Sequence, residues 1–384
     1  MHVLRATALV CFLLMLSVSM IYPVVKHYVM DVYGASVAQA GMFVAVNLLA
    51  YAIFAPIWGA LSDRAGRRRG FILVGLAGNS AMLLLQANAP SLEWLIAFRL
   101  VEGIFTVMVY STAMALVLDV CRRERYGRGL GLVGMGIAGG MAFGTPAGGA
   151  FGELSPVMPF YAASLIIFLT LLFSWRFLEE VPVEGSTSAR RSIRRVLGRK
   201  ELLVPYSFSF IDRFTAGFFV SVFPIMLGTR WGMSPGEIGA YMSAFMLPFA
   251  LLQYFGGVLA DRLGRVKPLA VGSAVYAACI GSIGMLSPPA ILLPLGVAGV
   301  MASVMLPASA ALSGDLAPRG SKGAAIGGFN LSGSLGFALG PAVAGAVAQA
   351  YGFSATFLLA GASVLVFLGI ALLLLRAWGI SPDS

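Results

Sequence analysis

The 384-residue chain is 59% hydrophobic and only 11% charged, far from the roughly 45–50% apolar and 25% charged make-up of soluble domains. Such a composition excludes a sizeable water-soluble domain and places the chain in a bilayer. A net charge of +10 would point to nucleic acid in a soluble protein, but here its meaning depends on where the charges fall.

A spanning helix needs about 20 apolar residues. In chain order, apolar runs bounded by charged or Pro/Gly-rich turns predict spans at 6–28, 39–61, 70–88, 92–119, 127–151, 156–178, 202–228, 236–259, 267–287, 289–314, 322–348 and 353–376. The first, behind Arg5, also has the outline of a secretory signal; the internal repeat described below keeps it as a helix. The longest polar stretch, Glu179 to Lys200, ends in EGSTSARRSIRRVLGRK and divides the chain into halves. The expected organisation is an all-α integral membrane protein of twelve transmembrane helices in two six-helix pseudo-symmetric bundles, 1–178 and 201–384, joined by a basic linker at 179–200. Cys11 and Cys279 lie in apolar runs and Cys121 in a basic loop, which builds neither a disulfide framework nor a metal cluster.

Orientation follows from lysine and arginine placement. With both termini in the cytoplasm, all of the 26 basic residues except Lys26, Arg230, Arg99 and Arg213 fall on the cytoplasmic side, Arg5, Arg64 to Arg69, Arg122 to Arg128, Arg176 and Arg376 among them. The bias fits a multi-pass protein of the cytoplasmic membrane and accounts for the positive charge without nucleic acid.

The halves are copies. Asp63 and Asp261 lie 198 residues apart, and at that offset Gly59, Arg64, Gly66 and Arg67 meet Gly257, Arg262, Gly264 and Arg265. Asp119 meets Asp315 at offset 196, with Gly140, Gly144 and Gly149 meeting Gly336, Gly340 and Gly345. SVSMIYP, ending at Pro23, is echoed by FFVSVFP, ending at Pro224.

The turn G-x-L-x-D-R-x-G-R-[RK] at Gly59 to Arg68, weakly echoed from Gly257, together with twelve spans and a six-plus-six repeat, resembles the major facilitator superfamily over essentially the whole chain. The resemblance implies two six-helix bundles that rock about a central substrate site, with Gly59, Asp63, Arg64, Gly66, Arg67, Asp261 and Arg262 acting as a conformational latch; a simple positive-inside anchor is the alternative, better suited to Arg68 and Arg69. In segment five, Gly140, Gly144, Pro146, Gly148 and Gly149 resemble the glycine-proline motif of proton-coupled antiporters, although Thr145 separates Pro146 from Gly144. Gly340 and Pro341 repeat the pattern in segment eleven, so it reports either packing symmetry or antiport, and antiport is the preferred reading. The string R-L-V-E-G at Arg99 resembles the family's helix-four arginine motif, which is associated with proton coupling.

Counting 1.5 Å per residue, Arg99 and Glu102 fall about 12 and 16 Å into helix four. Buried charges at that depth oppose insertion, so they pair or work; their i, i+3 spacing lets them pair on one face. They are either a static salt bridge or a proton site in which Glu102 titrates and Arg99 modulates it. Asp212 and Arg213, about 15 Å into helix seven by the same count, supply a second candidate carboxylate and a polar cavity residue. Tyr22, Asn47, Tyr51, Tyr110, Gln253, Tyr254 and Asn330 offer hydrogen bonds to a substrate, and Phe223, Met226 and Met246 offer adaptable apolar surface.

The expected function is a secondary active transporter, not an enzyme: a proton-coupled exporter of a small amphipathic or drug-like molecule, acting as a monomer by alternating access. No nucleotide-binding loop is present in the sequence, so the proton gradient is the energy source and no cofactor or metal is expected. A lipid or glycolipid flippase, or a proton-coupled metabolite symporter, is the alternative. A membrane enzyme lacks its base or metal set, because only His2 and His27 are present.

Overall fold

The computed structural model describes residues 2–121, 126–180, 196, 198–318 and 321–378. Arg122, Arg123, Arg125 and Arg319, and residues Arg190 to Arg195 of the expected linker, fall outside the described residues. Helical structure runs nearly end to end, and no strand occurs among the described residues. The elements are α1 (His2–Ser19), α2 (Val37–Ala65), α3 (Arg69–Ala87), α4 (Leu92–Val120), α5 (Tyr126–Leu154), α6 (Met158–Phe177), α7 (Leu203–Trp231), α8 (Pro235–Leu263), α9 (Val266–Ile283), α10 (Leu292–Asp315) and a 56-residue stretch, Lys322–Ala377.

That stretch bends at Gly352, whose φ of 81° only glycine adopts readily, and is treated as α11 (322–351) and α12 (353–377). Among the described residues ten stretches, with Lys322–Ala377 counted once, are long and apolar enough to cross a membrane. The bend at Gly352 makes two of one, and glycine-rich α5 completes the expected twelve.

Two compact units are present: residues 1–185 with Phe223–Ser243, and 186–222 with 244–384. In the first, α1 packs on α5 and α6, α2 on α4, and α3 on α4 and α6. In the second, α9 packs on α10 and on the Lys322–Ala377 stretch.

Close helix approach in both units depends on absent side chains. A Cβ on Gly136 would stand 2.6 Å from the Ala8 carbonyl, and one on Gly148 2.5 Å from Met20 Cα. Gly140 and Gly144 likewise abut the backbone at Phe12 and Leu16. In the second unit Gly336 and Gly340 lie against the carbonyls of Phe210 and Phe214 on α7, and Gly340 Cα is 3.0 Å from a Cβ placed on Gly217. The glycine stripes are therefore the α1–α5 and α7–α11 contact surfaces, the small-residue interfaces that bring helices together in lipid, where no hydrophobic force separates helix from solvent.

The duplication is sharpest at helix ends. Both α2 and α8 are 29 residues long, and both start and stop at offset 198. Each is preceded by a positive-φ glycine, Gly34 or Gly232, and followed by another, Gly66 or Gly264. Each opens on a capping box. Ser36 Oγ accepts from Gln39 N–H at 3.3 Å while Ser36 N–H donates to Gln39 Oε1 at 2.9 Å. Ser234 and Glu237 repeat the pair at 3.3 and 2.9 Å. Each box satisfies two N–H groups that the first turn leaves unpaired.

The first segment departs from its copy: α1 ends at Ser19, a tight turn covers Tyr22–Val24 and a wide helical turn covers Val25–Met30. Its partner α7 runs unbroken through Pro224. Asp63 and Arg64, expected in the turn between spans two and three, lie in the last turn of α2, because the chain leaves the helix only at the left-handed Gly66.

A buried carboxylate network and two arginine-centred turns

Glu102 sits on α4 with no exposed surface, and four side chains donate to it. Its Oε2 accepts from Arg99 Nη1 at 3.0 Å and from Asn47 Nδ2 at 2.5 Å. Its Oε1 accepts from Asn79 Nδ2 at 2.9 Å and from Thr106 Oγ1 at 2.6 Å. Arg99, Asn47, Asn79 and Thr106 are themselves fully buried.

Helical spacing explains half of this set: Arg99 and Thr106 lie three residues before and four residues after Glu102, one turn either way on the same face. Helices α2 and α3, both packed on α4, supply the asparagines. Close approach is built in, since a Cβ on Gly103 would stand 2.6 Å from the Asn47 carbonyl. The Phe43 ring covers the guanidinium with its centroid 5.0 Å from Arg99 Cζ, a cation–π contact that strengthens when desolvated. With both carboxylate oxygens fully engaged, the charge of Glu102 is neutralised and solvated by protein, as a buried ion requires. A proton arriving on either oxygen would displace a donor.

The expected residues of the first half gather here. Tyr22 and Tyr51 interact electrostatically with both Arg99 and Glu102, and Tyr51 pairs with Tyr110 at a ring separation of 6.3 Å. Phe223 and Met226, also in the first unit, are fully buried. In the second unit Asp212 and Arg213 are half-buried on α7. Asp212 interacts electrostatically with Arg213 and with Tyr276, whose hydroxyl lies 3.2 Å from Thr215 Oγ1. Met246 is buried, Gln253 half-buried, and Asn330 exposed on α11. Tyr254 is 73% exposed and set edge-on to Phe255.

Equivalent positions of the second half carry no such network. Gly299 matches Gly103 at offset 196, and its Cβ would meet the Phe245 carbonyl as that of Gly103 would meet the carbonyl of Asn47. Phe245 therefore stands for Asn47, and Leu295 and Ala298 stand for Arg99 and Glu102; all three are buried.

At the helix ends the arginine that organises each turn is the residue just before the following helix. Arg68 is 3% exposed. It reaches Asp63 Oδ1 at 2.6 Å, Asp119 Oδ2 at 2.8 Å and Ser62 Oγ at 2.6 Å. Its N–H and that of Arg69 donate to Glu180 Oε1 at 2.5 and 3.2 Å, so a carboxylate from beyond α6 caps α3 where no local side chain does. In the second unit Arg265 bonds Asp261 and lies 3.2 Å from Asp315.

Fixed-offset counting pairs Arg67 with Arg265, but Arg67 is exposed and Arg68 carries the contacts. The first turn holds one more residue between aspartate and arginine, five positions against four. Arg64 is also exposed. Arg68, Asn79, Thr106 and Glu153 are the participants that sequence reasoning missed. Thr106, one turn from Glu102, carried a readable signal, whereas Asn79, an amide within an apolar run, gave no sign of its partner. Glu153, at the end of α5, accepts from Gly236 N–H at 2.7 Å. Hydrogen bonds from Ser234 and from that N–H hold its carboxyl below the usual glutamate range.

Known proteins give the arrangement its relatives. The chain is 27% identical over 363 residues to the multi-drug resistance efflux pump PmrA of Streptococcus pneumoniae, covering 90% of this chain and 89% of that protein. It is 30% identical over 277 residues to the class E tetracycline resistance protein of Escherichia coli, covering 68% and 67%. Among solved structures, a bacterial homolog of the human lysosomal transporter Spinster, inward-facing and unoccupied, superposes with a TM-score of 0.82 at 17% identity over 96% of this chain and 94% of that one. The sequence model of the Major Facilitator Superfamily matches residues 7–211 and 206–382. With that pattern running from one end to the other, the chain belongs to the Major Facilitator Superfamily, a class of multi-pass membrane transporters and not of enzymes.

Proposed function

We propose that the protein is a proton-coupled exporter of small amphipathic molecules, driven by protonation and release of Glu102. The observation that carries the reading is the fourfold coordination of this one buried carboxylate from three helices. Protonation removes the charge that holds Arg99 and displaces at least one of the four donors. The proton's arrival is thereby converted into altered packing between α4 and its neighbours α2 and α3. A proton crossing 100 mV supplies about 2.3 kcal/mol before any pH gradient is added, enough for modest uphill transport. The drug-like substrate class is supported by relatives named for multidrug and tetracycline resistance, and by Tyr22, Tyr51 and Tyr110 beside the network, which offer apolar faces with hydroxyl handles. Both termini are assigned to the cytoplasm from the arginine bias, and the chain acts as a monomer without a cofactor.

The test uses inverted membrane vesicles energised by respiration, with a fluorescent amphipathic dye such as ethidium supplied in the surrounding medium. Glu102→Gln keeps shape and hydrogen bonding but cannot titrate. Energised dye movement should disappear while dye binding to the purified protein persists. Full energised transport by Glu102→Gln would eliminate Glu102 as the proton carrier.

A further inference from the structure

A cavity of about 420 Å³ lies where the N-terminal end of α1 meets the C-terminal end of α6, lined by Arg5, Ala6, Leu9, Phe173, Arg176, Phe177 and Glu179. Its walls are of two kinds. At the mouth are two arginines, neither within ion-pairing distance of a carboxylate among the described residues. Arg176 rests on Phe177, its Cζ 5.4 Å from the ring centroid, and Phe177 pairs with Phe173 at 5.0 Å.

Below the mouth the apolar wall continues as a stripe. Leu9 on α1 and Leu165, Phe168, Leu169 and Leu172 on α6 are all exposed, at the i, i+3, i+4, i+7 spacing of one helix face. In a chain that spans a bilayer this face meets acyl chains. Two cations at the polar end of α6 and an apolar track leading from them along the helix form a surface shaped for an amphiphile with an anionic head.

We propose that this cavity binds an anionic phospholipid, with its phosphate between Arg5 and Arg176 and an acyl chain along Leu9, Leu172 and Phe168. The neighbouring cavity at Arg67, Arg69 and Trp175 is unlike it. There Glu180 already accepts from the backbone of Arg68 and Arg69, and Arg69 donates to the Trp175 carbonyl, so of its two arginines one is already spent on the protein and no pair of cations is left to grip a phosphate. Arg5 and Arg176 are set against one carboxylate, that of Glu179, and an excess of positive charge remains.

The experiment is mass spectrometry of lipid retained by the intact purified protein after extraction from bilayers of equal phosphatidylglycerol and phosphatidylcholine. Phosphatidylglycerol should be enriched on the wild type, and the enrichment should fall about fivefold for each arginine removed in Arg5→Gln and Arg176→Gln. Arg376→Gln, near the end of α12, should keep it. Glu179→Gln, an exposed change that leaves the fold intact, should raise it. Equal retention of the two lipids by the wild type overturns the proposal, as does unchanged enrichment in the arginine variants or in Glu179→Gln. Displacement of the lipid by inorganic phosphate at matched concentration would also overturn it, because the acyl track would then contribute nothing.

Discussion

The glycine stripe of α5 makes a prediction in which one chemical change has opposite signs at positions a few turns apart. At Gly148 a Cβ would stand 2.5 Å from both Met20 Cα and its carbonyl carbon, where ordinary contact begins at 3.4 Å. The Met20 carbonyl oxygen is nearer still, so Gly148→Ala forces α1 back by about an ångström or more, or bends α5, and overpacking of this kind costs about 1–3 kcal/mol. At Gly134 nothing lies within 4 Å, so the same methyl meets no atom and gains the helix propensity of alanine over glycine, about 0.8–1.0 kcal/mol. The two variants should differ by about 2–4 kcal/mol, the sum of one loss and one gain. A natural reporter exists in Cys11, on α1 and fully buried. Thermal unfolding followed by a thiol-reactive dye should give Gly148→Ala a lower midpoint, and Gly134→Ala a higher one, than the wild type. Equal midpoints for the two variants would refute the account of α5 as the surface on which α1 is seated.

The remaining predictions concern helix ends. Arg68→Gln leaves Asp119 and Ser62 facing one another without their cation and should destabilise by about 2–3 kcal/mol, below the full penalty for a broken buried pair because Asp63 is 62% exposed and regains water. Arg67→Gln, at an exposed neighbouring position, should stay within about 0.5 kcal/mol. The midpoints of chemical unfolding distinguish them, and a larger effect at Arg67 would invert the assignment. The carboxyl of Glu153 lies below its ordinary range in the folded protein, so its stabilisation is present above the unfolded value, about 4.3, and is lost as pH falls through the folded value. The stability gap between wild type and Glu153→Gln should therefore narrow on acidification below about pH 4; a gap independent of pH would remove Glu153 from the cap of α8.

Spans were legible because twenty-residue apolar runs leave little choice in lipid. Helix ends were less so: hydropathy places Asp63 in a turn, whereas a left-handed glycine three residues later extends α2 past it. The partner of Arg265 was off by one for a related reason, since a loop can gain a residue without disturbing the helices on either side. Within the polar network, Arg99 and Glu102 announced themselves as charges at midplane depth. Asn79 did not, because its contact with Glu102 spans 23 positions of sequence and depends on how α3 packs on α4. Periodicity can recover a Thr106 one turn away, but it carries no information on which side chain a neighbouring helix will bring.

Duplication would ordinarily leave a pair of equal ionisable centres. In this chain the copy at Phe245, Leu295 and Ala298 is mute: greasy, sealed and unable to hold charge. One carboxylate takes up one hydrogen ion, so on the proposed reading the stoichiometry that this locus contributes is capped at one per turnover, and any further ion would need a different acid, such as Asp212 on α7.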